Sequence, residues 1–198
     1  MTDRPAGRIQ RTGILAAILR VARGDGSGIA MFNDTQRAFL SSLIPLFALP
    51  AVVALATAIA GDVARAIVDL LASVCAVLLP PIISHALARG WGREAMWSRF
   101  AVAFNWCQFA LSSVGLGLLI ILGVIAGATG GAPASGLAVG ALVVLCVGIV
   151  GYGLWLHWFV ARAGLSLSGG RAALLVFAIY VGTFAVLLVR GLLVMDRG

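Results

Sequence analysis

The chain has 198 residues, of which 62% are hydrophobic and only 11% charged, and its mean hydropathy is +1.09. Those values exclude an ordinary soluble domain and define an integral membrane protein. The net charge of +7 comes from fourteen arginines against seven acids, without one lysine. A pI near 11 raises the question of nucleic acid. The arginines, however, are dispersed along apolar flanks and not gathered in a soluble segment with interleaved aromatics, so the expected partner is anionic lipid and not nucleic acid.

Residues 1–37 form a short basic arm carrying Arg4, Arg8, Arg11, Arg20, Arg23 and Arg37. Its apolar stretch from Ile14 to Leu19 ends at Arg20, and the Arg-Gly-Asp-Gly-Ser-Gly segment that follows at Arg23 has no small-residue cleavage pattern. The arm is therefore not read as a signal peptide. On a helical wheel Ile14, Leu15, Ile18, Leu19 and Val21 share one arc and Arg20 and Arg23 lie opposite, which suits a helix on the membrane surface. A frayed arm is the alternative, because about 11 residues is short for an isolated helix.

Residues 38–198 read as one all-α domain, a bundle of five transmembrane helices at approximately 38–60, 66–88, 100–126, 136–161 and 172–194. Each run meets the ~20 apolar residues that a hydrocarbon core requires. Pro45 and Pro50 in the first span, and Pro80 and Pro81 in the second, each remove a helical hydrogen bond and predict kinks. The Pro80–Pro81 break admits two roles, a packed kink or the hinge or lining of a cavity. Asp69 is the one acid within a span; Arg65, four residues earlier, is its expected partner, and Arg190 in the fifth span is expected to snorkel.

In the third span Asn105, Gln108, Ser112 and Gly115 fall on one narrow helical face, and in the fourth Cys146, Gly153 and His157 do the same. Asn105 is six residues past Arg99 and His157 five before Arg162, placing both about 8–9 Å inside the same boundary. His85 belongs to that level. Asn105, Gln108, His157 and His85 thus form a candidate intramembrane polar layer, either a small polar pocket or interhelical hydrogen bonds that fix the bundle. Gly123 and Gly127, and Gly136 and Gly140, are spaced for close helix approach at the far ends of spans three and four, joined by an uncharged hairpin at 128–135.

The arginines set an orientation. Arg89, Arg93, Arg99, Arg162 and Arg171 join the six of the arm on one side, leaving Arg65, Arg190 and Arg197 on the other. The positive-inside rule then predicts a cytoplasmic N-terminus and an external C-terminus. Trp91, Trp97, Trp106, Trp155 and Trp158 all lie at the arginine-rich interface, as an aromatic belt would. Two distant histidines and three cysteines within apolar spans, Cys75, Cys107 and Cys146, supply no metal-ligand spacing, and no phosphate loop, paired carboxylates or nucleophile elbow is present. The expectation is a protein without catalytic chemistry or cofactor.

The five spans, the basic turn from Ala86 to Arg99 before a helix opening Phe104-Asn-Trp-Cys-Gln108, and the segment from Trp155 through Arg162 to Arg171 resemble the Yip (Ypt-interacting protein) family and its bacterial branch. The proline that the family carries early in its third span has no counterpart here. The resemblance implies a multi-pass membrane protein, here of the inner membrane, that works through other proteins or through lipid; a homo-oligomer is a further partner arrangement open to it. The small-GTPase binding of eukaryotic members does not carry over to so short an arm. A small transporter or channel, with a polar pathway along spans three and four, is the second functional class that the sequence admits.

Overall fold

A computed structural model describes residues 6–128 and 136–195, and every regular element in them is helical: α1 (Ala6–Ala22), α2 (Ser27–Ala30), α3 (Gln36–Ile59), α4 (Val63–Gly90), α5 (Glu94–Ala128), α6 (Gly136–Gly164) and α7 (Gly169–Met195). The connection at 129–135, with the hairpin expected there, and Arg4 and Arg197 of the arginine count lie outside the described residues. Five helices, α3 to α7, are long and apolar enough to cross a membrane, so the chain is a multi-pass membrane protein. Most begin or end a few residues beyond the apolar runs, because the helix continues into the interface after the hydrophobic stretch stops.

The turns follow from local chemistry. Thr35 accepts from the Ala38 N–H at 3.2 Å to start α3, and Asp62 accepts from the Arg65 N–H at 2.9 Å to start α4. Gly61 and Gly92, with φ of +98° and +68°, close α3 and α4 in the left-handed conformation that glycine alone takes freely. Asp62 N–H then bonds to Thr57 C=O, and Arg93 N–H to Ala88 C=O, each five residues back. Ser166 takes the equivalent position after α6 at φ +50°, where a non-glycine residue is strained. Leu165 and Leu167 on either side of it are buried, and their packing holds the turn.

The spans form a ring in the order α3, α4, α7, α6, α5 and back to α3, with α4 also touching α5. Side chains are buried mainly at the arginine-rich end, where Phe100, Ala101, Val102, Ala103, Phe104 and Cys107 of α5 meet Leu156, Val160 and Ala161 of α6 and Leu175, Val176 and Ile179 of α7. At the other end α5 and α6 are largely exposed, as a surface bathed in lipid would be. Gly123, Gly127 and Gly140 have nothing within 4 Å of where a Cβ would lie. Among the described residues these three glycines thus make no glycine-mediated contact between the far ends of spans three and four, and the surroundings of Gly136 lie outside what the structure describes. The close approach is instead at Gly182 of α7, where a Cβ would stand 2.8 Å from Leu79 Cδ2 and 3.0 Å from Ile83 Cδ1 of α4.

The arm is helical over Ala6–Ala22 and Ser27–Ala30, and it folds onto the protein. Ala17 and Val21 of α1, with Ile29 and Phe32 in and after α2, are buried in the same core, and Ile14 and Ile18 pack against it. Leu15 and Leu19, which share the apolar arc on the wheel, stay 64% and 55% exposed. The apolar arc is thus divided between protein and surroundings, which neither a purely surface-bound helix nor a frayed arm would do. Tyr152 of α6 donates to Ala22 C=O at 2.8 Å, and Asp34 pairs with Arg99 at 2.8 Å on an exposed surface. Asp25 accepts from the Ser27 N–H at 2.9 Å, and hydrogen bonding to Ser27 holds its carboxyl below the usual carboxylate range.

Candidate functional site: an intramembrane cleft

The polar residues that periodicity grouped are divided by the fold. Asn105 is buried, and its Nδ2 donates to Ser42 Oγ of α3 at 2.9 Å, while Ser42 in turn donates to Phe39 C=O at 2.7 Å. His157 is also buried, but its Nδ1 lies 2.9 Å from Tyr180 Oη of α7, with Phe104 stacked obliquely at 4.5 Å between ring centroids. His85 is elsewhere: its Nε2 is 3.4 Å from Glu94 Oε1, and its ring meets Trp97 edge-on at 4.7 Å, so it belongs to the α4–α5 turn. Of the candidate layer Asn105, Gln108, His157 and His85, the first, third and fourth thus meet separate partners among the described residues. Equal depth did not bring these side chains together, because they leave their helices at different angles around the ring.

Asn105 and Gln108 do share a place. They line a cleft of about 510 Å³ enclosed by α3, α4, α5 and α7, with Ser112, Ser113, Tyr180 and Thr183 as its other polar residues. The polar face of the third span is thus a cleft wall. Of the fourth span's set, Cys146 is exposed, Gly153 faces Leu111 and His157 reaches the cleft only through Tyr180 and Phe104, so α6 does not line it. Its apolar wall includes Pro45, Pro50 and Pro80. Lacking N–H groups, Pro50, Pro80 and Pro81 deprive the carbonyls of Leu46, Ala76 and Val77 of their helical donors, and those three residues also line the cleft.

Several roles differ from those that the sequence implies. Trp97 donates to Ser84 Oγ at 3.0 Å and Trp158 to Gly169 C=O at 3.0 Å, so these two indoles hold turns instead of meeting headgroups. Arg190 does not simply snorkel. Its Nε donates to Asp69 Oδ1 at 2.6 Å, tying α7 to α4, whereas Arg65 stands 3.8 Å from the other carboxylate oxygen. Among the described residues no group of three potential ligands could hold a metal.

Because Asn105 and His157 bond to different helices, Asn105→Leu and His157→Leu are expected to lower stability in detergent additively, with coupling below about 0.5 kcal/mol. Asn105→Leu and Ser42→Ala should instead couple by about 0.6–2 kcal/mol. Double-mutant cycles by thermal unfolding check both. Cys75 and Cys146, exposed on spans, are expected to resist a membrane-impermeant maleimide in intact membranes yet react in detergent. Rapid labelling of Cys146 in membranes would reveal water along α6.

These features define a five-span helical membrane protein with an intramembrane cleft. No protein-family model, curated protein or solved structure matches the chain.

Proposed function

We propose that the chain is a non-enzymatic component of a bacterial inner membrane that works by binding a partner within the bilayer, with its N-terminus cytoplasmic and its C-terminus outside. The observation that carries this is the blind end of the cleft. Phe104, Asn105 and Ile179 at its base are buried, and buried Phe100, Leu175 and Val176 lie a turn further along α5 and α7 toward the arginine-rich end. A transporter needs polar groups continuing past that base, and the polar residues of α6 do not extend the cleft. The resemblance to the bacterial Yip branch points the same way, since it implies action through other proteins or lipid.

The test is isolation of the whole protein in mild detergent, with identification of any stoichiometric protein or lipid, beside solute and proton flux in proteoliposomes. A stable complex without flux is expected. Flux above empty vesicles would instead establish the transporter class. Reporter fusions at each end are expected to place the N-terminus inside and the C-terminus outside. Both ends in one compartment would mean that one of the five helices does not cross.

A further inference from the structure

The cleft lies among four helices, and its lining carries no charged side chain. A phosphate, carboxylate or ammonium group would enter it without a counter-charge in a medium of low dielectric, which is strongly unfavourable. Its volume of about 510 Å³ is within the range of small-molecule sites. Leu49, Ser112 and Ser113 of the lining are exposed, leaving a lateral entrance from the bilayer.

The base of the cleft offers both halves of a hydrogen bond. Asn105 spends one of its two amide N–H groups on Ser42, and its Oδ1 remains as an acceptor. His157 is 2% exposed, and its Nε2 is buried without a partner. If Nε2 carried the proton, a buried N–H would be orphaned; with the proton on Nδ1, the histidine donates to Tyr180 Oη and only a lone pair is left unsatisfied, the cheaper arrangement. That tautomer leaves the Tyr180 hydroxyl proton free to donate into the cleft. Leu46, Ala76 and Val77, whose carbonyls lose their helical donors to prolines, line the same wall.

We propose that this cleft binds a neutral lipid bearing a hydroxyl head, such as a diacylglycerol or an isoprenoid alcohol, with the hydroxyl between Asn105 and Tyr180 and the hydrocarbon against the proline wall. A hydroxyl is the uncharged group that both donates and accepts, and so satisfies the two side chains at once. The proposal is independent of whether the chain also binds a protein.

The experiment uses the full chain in phosphatidylcholine nanodiscs and a diazirine-bearing diacylglycerol, with crosslinked peptides mapped after illumination. Crosslinks are expected on cleft-lining segments of α3, α4, α5 and α7. Dioleoylglycerol or geranylgeraniol should compete, the stronger competitor identifying the source of the hydroxyl, and the methyl ether of each should compete about fivefold less well. Tyr180→Phe should weaken capture by a similar factor, with Leu145→Ala on exposed α6 leaving it unchanged. Equal competition by the methyl ethers, or uniform labelling of every exposed helix without competition, overturns the proposal. Since the ether comparison is made on the unaltered protein, misfolding of the Tyr180 variant cannot obscure the answer.

Discussion

Replacing Asp69 by leucine is expected to destabilise the protein by about 2 kcal/mol in detergent, with α4 and α7 separating first. The carboxylate is 13% exposed and receives Arg190 Nε at 2.6 Å, so its removal strands a guanidinium between two spans. Breaking a fully buried pair costs ~3–5 kcal/mol; Arg190 is 39% exposed and can stretch toward the interface, which reduces the loss. Arg65→Leu is the internal control. That side chain is 53% exposed at 3.8 Å, and its loss should cost under about 0.5 kcal/mol. Denaturation of the three single variants Asp69→Leu, Arg190→Leu and Arg65→Leu would test the ranking, and equal effects of the two arginines would refute it.

Gly28→Ala is expected to detach the arm. A Cβ at this position would lie 2.7 Å from Ala17 C=O, 2.9 Å from Arg20 Cβ and 2.9 Å from Val21 Cγ2. A backbone oxygen cannot swing aside as a side-chain tip can, so α2 must move off α1 and draw buried Ile29 and Phe32 with it. Overpacking of this kind costs about 1–3 kcal/mol. The measurable result is faster trypsin cleavage after Arg20 and Arg23 at unchanged helical content of the spans. Gly26→Ala, whose Cβ would make an ordinary 3.8 Å contact with Ala163, should leave cleavage unchanged.

The five spans were legible because the bilayer imposes a length and a composition that each apolar run satisfies by itself. The polar face of α5 was legible for a similar reason: Asn105, Gln108 and Ser112 recur at the helical period and all reach one cleft. Partnership between helices was less so. Arg190 and Asp69 are 121 residues apart, and nothing local marks them as a pair. Gly182 makes its close approach to Leu79 without a second glycine at the expected spacing, whereas Gly123 and Gly127 have that spacing and, among the described residues, no neighbour within 4 Å of where a Cβ would lie. A small residue permits contact, but the ring order decides whether a neighbour is present. Depth was equally misleading for His85 and His157, because position along the membrane normal leaves the angle around each helix undetermined.

The docking of the arm has a consequence for the order in which the protein is made. Ala22 C=O is held by the Tyr152 hydroxyl, 130 residues later in the chain. Ile29 and Phe32 share a core with Val160 and Leu165, which are also synthesised late. The arm is synthesised before α6 and must therefore wait, with its apolar face uncovered, until the fourth span has been inserted. During that interval Leu15 and Leu19 can rest on the membrane surface, and the exposure they retain in the finished protein preserves that foothold. A nascent chain halted before α6 should keep its arm accessible to protease, and one released after α6 should protect it.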